Sequence, residues 1–103
     1  MTTPEGKVKR LVKRRLAEEF DARPPFKHYE FWPVQTGRGK RTLDCLICVE
    51  GQFFAIETKE FGKDYTELQK DTRDEIHSAG GTVYLVDGSV SCEIMIADIK
   101  WRT

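Results

Sequence analysis

Residues 43–59, LDCLICVEGQFFAIETK, constrain this chain more than any other stretch. Two largely apolar, β-forming runs, 43–49 and 52–59, flank Glu50-Gly51, and that pattern predicts a β-hairpin. Centring the pairing on the turn sets Val49 opposite Gln52, Ile47 opposite Phe54 and Asp44 opposite Glu57. A four-residue loop keeps this register, whereas a three-residue loop shifts it by one. Glutamate is an awkward first turn residue, because a type I′ turn needs φ > 0 at both central positions. In the centred register the Asp44 and Glu57 side chains are direct cross-strand neighbours, about 5 Å apart at Cβ. Alternation along the strand puts Lys59 on the same face as Glu57. Facing carboxylates destabilise a sheet unless something offsets them. A divalent cation does so, and a lysine does so in part. A lone acid at a hairpin end reads as a solvated charge. An Asp, a Glu and a Lys together on otherwise apolar strands read as a site.

The chain has 103 residues, which suits one domain with a modest core, and 33% of them are charged. Its net charge is zero, yet the halves differ. Residues 1–41 hold 11 Lys/Arg against 5 Asp/Glu, and residues 42–103 hold 6 against 12. That asymmetry predicts a basic face for a polyanion next to an acidic site, since the local field matters more than the total. No run approaches the roughly 20 apolar residues that span a bilayer, and the N-terminal residues lack the apolar core of a signal peptide, so a cytoplasmic protein without membrane contact is expected. Cys45 and Cys48 have half the spacing of a zinc site. An offset of three on a strand sends them to opposite faces, however, and no second ligand pair follows. Buried free thiols are expected at Cys45, Cys48 and Cys92, and their odd number argues against a disulfide framework.

Along the chain, Thr2 or Thr3 can cap a first helix with Pro4 in its first turn. Val8, Leu11, Val12, Leu16 and Phe20 form its apolar stripe, from about residue 5 to 21. Lys7, Lys9, Arg10, Lys13, Arg14 and Arg15 are expected on the opposite face. Six cations with no intervening anion suit phosphate contact as well as solvation. Arg23-Pro24-Pro25 ends this helix. Residues 28–35, HYEFWPVQ, predict a strand at a sheet edge or with a bulge, because of Pro33. Residues 36–41, TGRGKR, form a basic loop whose glycines let the backbone approach phosphate and whose Arg38, Lys40 and Arg41 supply charge. A second helix is expected over about 67–79, capped by Thr66 and ended by Gly80-Gly81. Residues 82–86 predict a strand. Residues 91–101 suit a helix or a last strand, with the helix favoured. His77 reads as a helix-surface residue and His28 as structural.

An Asp on one hairpin strand and Glu-x-Lys on the next resembles the PD-(D/E)xK nuclease superfamily. More narrowly, the chain is similar to small stand-alone VRR-NUC domains of phages and bacteria. The matching segments are Glu5 in the first helix, residues 33–44 (PVQTGRGKRTLD), 51–59 (GQFFAIETK), 66–69 (TELQ) and 79–87 (AGGTVYLVD), which together cover nearly the whole chain. Leu43 stands where the motif often has proline. The resemblance implies an α/β fold with a restriction-endonuclease-like core, an α-β-β-β-α-β mixed sheet flanked by helices. It makes Asp44 and Glu57 metal ligands, adds the backbone carbonyl of Thr58 as a third, and makes Lys59 the catalytic lysine. It directs Glu5 and Gln35 at the same site. Gln69 matches a site position, but Thr66-x-x-Gln69 is also a capping box, and both roles stand open.

The implied activity is metal-dependent hydrolysis of DNA phosphodiesters, with Mg²⁺ or Mn²⁺ as cofactor, since oxygen ligands with retained waters suit these ions better than zinc. Lys59 can serve as general base or as a fixed cation; unless the metal neutralises the two carboxylates beside it, they favour orienting water and stabilising charge over proton abstraction. The resemblance further implies branched or flapped DNA as substrate, resolution of four-way junctions by a homodimer, and a phage or bacterial origin. Lys9, Arg10, Lys13, Arg14, Arg38, Lys40 and Arg41 are the expected DNA contacts. The alternative is a non-catalytic nucleic-acid-binding module that uses the basic helix and the TGRGKR loop. A protein-interaction domain that uses the acidic C-terminal half is a third, weaker reading.

Overall fold

A computed structural model of the chain describes residues 2–21, 27–35, 37 and 39–103. The first helix, α1 (Pro4–Leu16), begins at Thr3, whose hydroxyl accepts from Gly6 N at 3.0 Å, and it runs on into a π-helical turn, Ala17–Asp21. Its stripe does what the periodicity requires: Val8, Val12, Leu16 and Phe20 are buried and Leu11 packs at their edge. Arg23, Pro24 and Pro25, expected to end this helix, lie outside the described residues, as do Thr36 and Arg38.

Three strands follow, β1 (His28–Phe31), β2 (Cys45–Val49) and β3 (Gln52–Thr58). After α2 (Glu67–Ser78) come β4 (Thr82–Val86) and α3 (Ser89–Arg102). The four-stranded sheet has the order β1-β2-β3-β4, with β3 and β4 parallel and the other pairs antiparallel. The molecule is thus α/β, an open mixed sheet with three helices. Strand β1 is shorter than the expected 28–35 and stops before Pro33. It lies at the sheet edge, where a residue without an N–H is tolerated. Residues 91–101 are helical, within α3. No helix among the described residues is long and apolar enough to cross a membrane.

One sheet face builds the core. Cys45, Ile47 and Val49 of β2, Phe54 and Ile56 of β3, and Val86 of β4 pack with the α1 stripe and with Cys92, Met95, Ile96 and Ile99 of α3. The other face carries α2, which has no buried residue of its own. Where α2 does not reach, Tyr29, Phe31 and Phe53 stay exposed. This open patch corrects one expectation. Cys48 does face away from Cys45, but it is exposed rather than buried, because none of the described residues covers that end of β2. His28 is structural: its ring packs against Phe20, and its Nε2 lies 3.1 Å from Asp21 Oδ1 and 3.3 Å from Glu30 Oε1.

The hairpin register is the centred one: Val49 pairs with Gln52, Ile47 with Phe54 and Cys45 with Ile56. The turn accepts its awkward glutamate, with φ at 49° for Glu50 and 81° for Gly51. Neighbouring backbone offsets that strain. Lys27 N donates to Glu50 Oε1 at 3.0 Å, and Glu50 N donates to Lys27 O at 3.2 Å. The edge strand is thereby pinned to the turn that sets the register.

Candidate active site

The β2–β3 ladder ends at Cys45–Ile56. One residue further on, side chains take over the backbone donors. Asp44 Oδ2 accepts from Thr58 N at 2.9 Å and from Thr58 Oγ1 at 2.7 Å, and Glu57 Oε1 accepts from Asp44 N at 3.2 Å. The two carboxylates are thus locked across the opened end of the hairpin. Thr58 is fully buried and Glu57 is only 3% exposed. The sequence reading used only the Thr58 carbonyl; its N–H and hydroxyl are what orient Asp44.

Helix α2 reaches the same point through Gln69, and here both open roles are filled by one side chain. Its Oε1 accepts from Thr66 N at 2.9 Å, while Thr66 Oγ1 accepts from Gln69 N, which completes the capping box. Its Nε2 donates to Glu57 Oε2 at 2.8 Å. A primary amide has an acceptor and two donor hydrogens, so capping and site contact do not compete. Lys59 Nζ lies 3.7 Å from the same Glu57 oxygen. The start of α1 supplies Glu5, whose carboxylate joins those of Asp44 and Glu57 with ligand atoms all within 4.8 Å of one another.

Glu57 bears the electrostatic cost. Burial, and then the negative charge of Asp44, push its carboxyl up to about 7, against the pull of Lys59 and the Asp44 N–H. The cleft beside it has a volume of about 280 Å³ and is lined by Gln35, Arg41, Thr42, Asp44, Glu57 and Gln69, among others. Gln35 Nε2 is held by Thr42 O at 3.4 Å. Glu5, Gln35, Asp44, Glu57, Thr58, Lys59, Gln69 and Arg41 therefore converge.

The expected DNA contacts are distributed differently. Lys9 points at the acidic centre, its Nζ 3.7 Å from Asp44 Oδ1. Lys13 lies over the Trp32 ring at 4.8 Å, and Arg14 is 3.6 Å from Glu18. Arg15 is engaged by Glu18, Glu19 and Glu93. Arg10 bonds Thr2, and Lys40 pairs with Glu75. Arg38 lies outside the described residues. Lys9, expected at DNA, thus belongs to the acidic centre instead. Lys9 carried a signal, its spacing of four from Glu5, which places both on one helix face. Near the start of α2, the Tyr65 phenol is pushed up to about 12, mainly by burial, with Arg73 over the ring at 5.1 Å.

Comparison with protein-family models, with curated proteins and with solved structures finds no match to this chain.

Proposed function

We propose that this chain is a metal-dependent DNA endonuclease with a restriction-endonuclease-like core of the VRR-NUC kind. The observation that carries the reading is the joining of Glu5, Asp44 and Glu57 within 4.8 Å, with the Lys59 ammonium 3.7 Å from Glu57. The donor set suits a hard cation. Every candidate ligand is an oxygen, from the carboxylates of Glu5, Asp44 and Glu57 or from the Thr58 carbonyl, and burial together with the Asp44 charge raises the Glu57 carboxyl, which a cation bound there would lower. Glu5, Asp44 and Glu57 would hold Mg²⁺ or Mn²⁺. When bound, such an ion supplies Lewis acidity at a scissile phosphate and lowers the pKa of a water it holds.

The remaining work falls to the chain itself. Thr58 holds Asp44 by two donors, and Gln69 with the Asp44 N–H holds Glu57, so both carboxylates are oriented before substrate arrives. Lys59, beside Glu57, orients the attacking water and stabilises charge growing on the phosphate oxygens as the water oxygen bonds to phosphorus and the ester oxygen departs. Arg41 at the cleft supplies backbone contact to the DNA. Branched DNA and a paired homodimer remain part of the proposal. The exposed Tyr29 and Phe31 on edge strand β1, with Phe53 across β2 on β3, offer a surface that a second copy can use.

The test is cleavage of end-labelled four-way junction, flap, duplex and single-stranded DNA in Mg²⁺, Mn²⁺ or EDTA, beside Asp44→Ala and Lys59→Ala. Metal-dependent cleavage that is lost in both variants is the expected result. Binding without cleavage in every lane overturns the enzyme reading for these substrates and favours the non-catalytic binding module.

A further inference from the structure

The acidic centre contains two ammonium groups, and they come from different elements. Lys59 directly follows β3, two residues after Glu57, and approaches Glu57 Oε2. Lys9 comes from α1, one turn after Glu5, and approaches Asp44. The oxygens of Asp44 are not equivalent. Oδ2 takes both donors of Thr58, so Oδ1 is the oxygen left for a ligand, and Oδ1 is the one that Lys9 faces at 3.7 Å. Glu57 has Oε1 on the Asp44 N–H and Oε2 on Gln69. A cation shared by Glu5, Asp44 and Glu57 therefore meets Lys9 at its Asp44 ligand.

Charge sets the limit on what else fits. Three carboxylates against the two ammonium groups paired with them leave one net negative charge, apart from Arg41 on the cleft wall. One divalent ion together with one phosphodiester charge brings that to zero. A second divalent ion leaves two uncompensated positive charges in a partly buried site, where screening is weak. Two-metal centres set their ions about 3.5–4 Å apart and share an oxygen ligand between them. Here the Asp44 oxygen available for sharing already has a cation beside it.

We infer that Lys9 is the resident second cation of this centre, standing on Asp44 Oδ1 where a second metal would bind, so that each site takes one divalent ion. The inference rests on the proposed metal centre and sets its stoichiometry.

The measurement is calorimetric titration of Mn²⁺ into the full chain, wild type and Lys9→Met, the latter keeping the apolar stem of the side chain. Lys9 is partly exposed, so the variant is expected to fold, and its circular dichroism spectrum checks that. The expected result is one Mn²⁺ per wild-type chain and a tighter first ion in Lys9→Met. The gain is roughly three-fold, the effect of removing one partly solvated competing charge. Single-turnover DNA cleavage by Lys9→Met falls even though its metal is held more tightly, a split that loss of the fold or of the metal cannot produce. Two ions on the wild type, or an affinity in Lys9→Met no higher than the wild type's, overturns the assignment while leaving the metal centre intact. No Mn²⁺ uptake by the wild type overturns the metal centre itself, and this inference with it.

Discussion

Replacing Glu57 by glutamine is expected to stabilise the metal-free protein at pH 8 and to leave its stability nearly unchanged at pH 5. The carboxyl is almost fully buried and raised from 4.5 to about 7. The folded chain therefore holds this proton over a range where the unfolded chain has lost it, so stability falls as pH rises from about 4.5 to about 7. At about 1.4 kcal/mol per pKa unit, the full loss is on the order of 3 kcal/mol. Glu57→Gln has no charge to bury and escapes that loss. Its carboxamide oxygen can still accept from Asp44 N, but its NH₂ then faces the Gln69 NH₂, a mismatch worth about 1 kcal/mol. The net effect is about 2 kcal/mol of added stability at pH 8 and close to none at pH 5, where the roughly 1 kcal/mol that the wild type has already lost to ionisation offsets the mismatch. Urea unfolding in EDTA at the two pH values reads both, and at pH 8 the melting temperature should rise by several degrees. Saturating Mg²⁺ should raise wild-type stability at pH 8 and leave the variant nearly unmoved. A stability difference that does not change between pH 5 and pH 8 would refute the assignment of the buried charge to Glu57.

Three further substitutions test the supports around the centre. Thr58→Val keeps the shape but removes one of the two donors on Asp44 Oδ2. It should cost about 1–2 kcal/mol in urea unfolding and lower DNA cleavage more than DNA binding. Gln69→Ala removes both the reciprocal cap contact and the donor to Glu57, so it should lose about 1 kcal/mol and weaken Mn²⁺ affinity measured by calorimetry. Gly81→Ala tests the seating of α2. A Cβ there would stand 2.7 Å from Ile76 Cγ2 and 2.9 Å from Phe53 Cδ1, and the overpacking should cost about 1–3 kcal/mol, read as a lower melting temperature.

What the sequence disclosed, and what it hid, follows from the range of each interaction. The hairpin was legible because period-two alternation and a two-residue turn leave one register, and that register alone brings Asp44 to Glu57. The α2 boundaries were legible because Thr66, Gln69 and the Gly80-Gly81 stop are local signals. The destinations of the basic residues on α1 were not. Six cations in nine residues read as one solvated face. Which of them turn inward depends on where α3 sets Glu93 for Arg15 and where the hairpin sets Asp44 for Lys9. Those partners lie 78 and 35 positions away in the chain, and no periodicity encodes them. The exposure of Cys48 was hidden for the same reason, since it depends on how far α2 extends over the sheet.

The same contacts explain why a chain of 103 residues can keep so costly a centre. The carboxylates sit where the β2–β3 ladder has ended, so the donors that hold them are ones the sheet had no further use for. Gln69 likewise serves the site with the amide hydrogens its capping role leaves over. Orientation of Asp44 and Glu57 thus removes no hydrogen bond from the fold. What remains to be offset is electrostatic, and it falls chiefly on Glu57. The apolar face beneath, from Ile47, Phe54 and Ile56 to the stripe of α1, carries the stability that allows such a charge to remain buried. A centre built this way is held in place by the core and is left short of positive charge, which is the condition under which binding a divalent cation stabilises the protein.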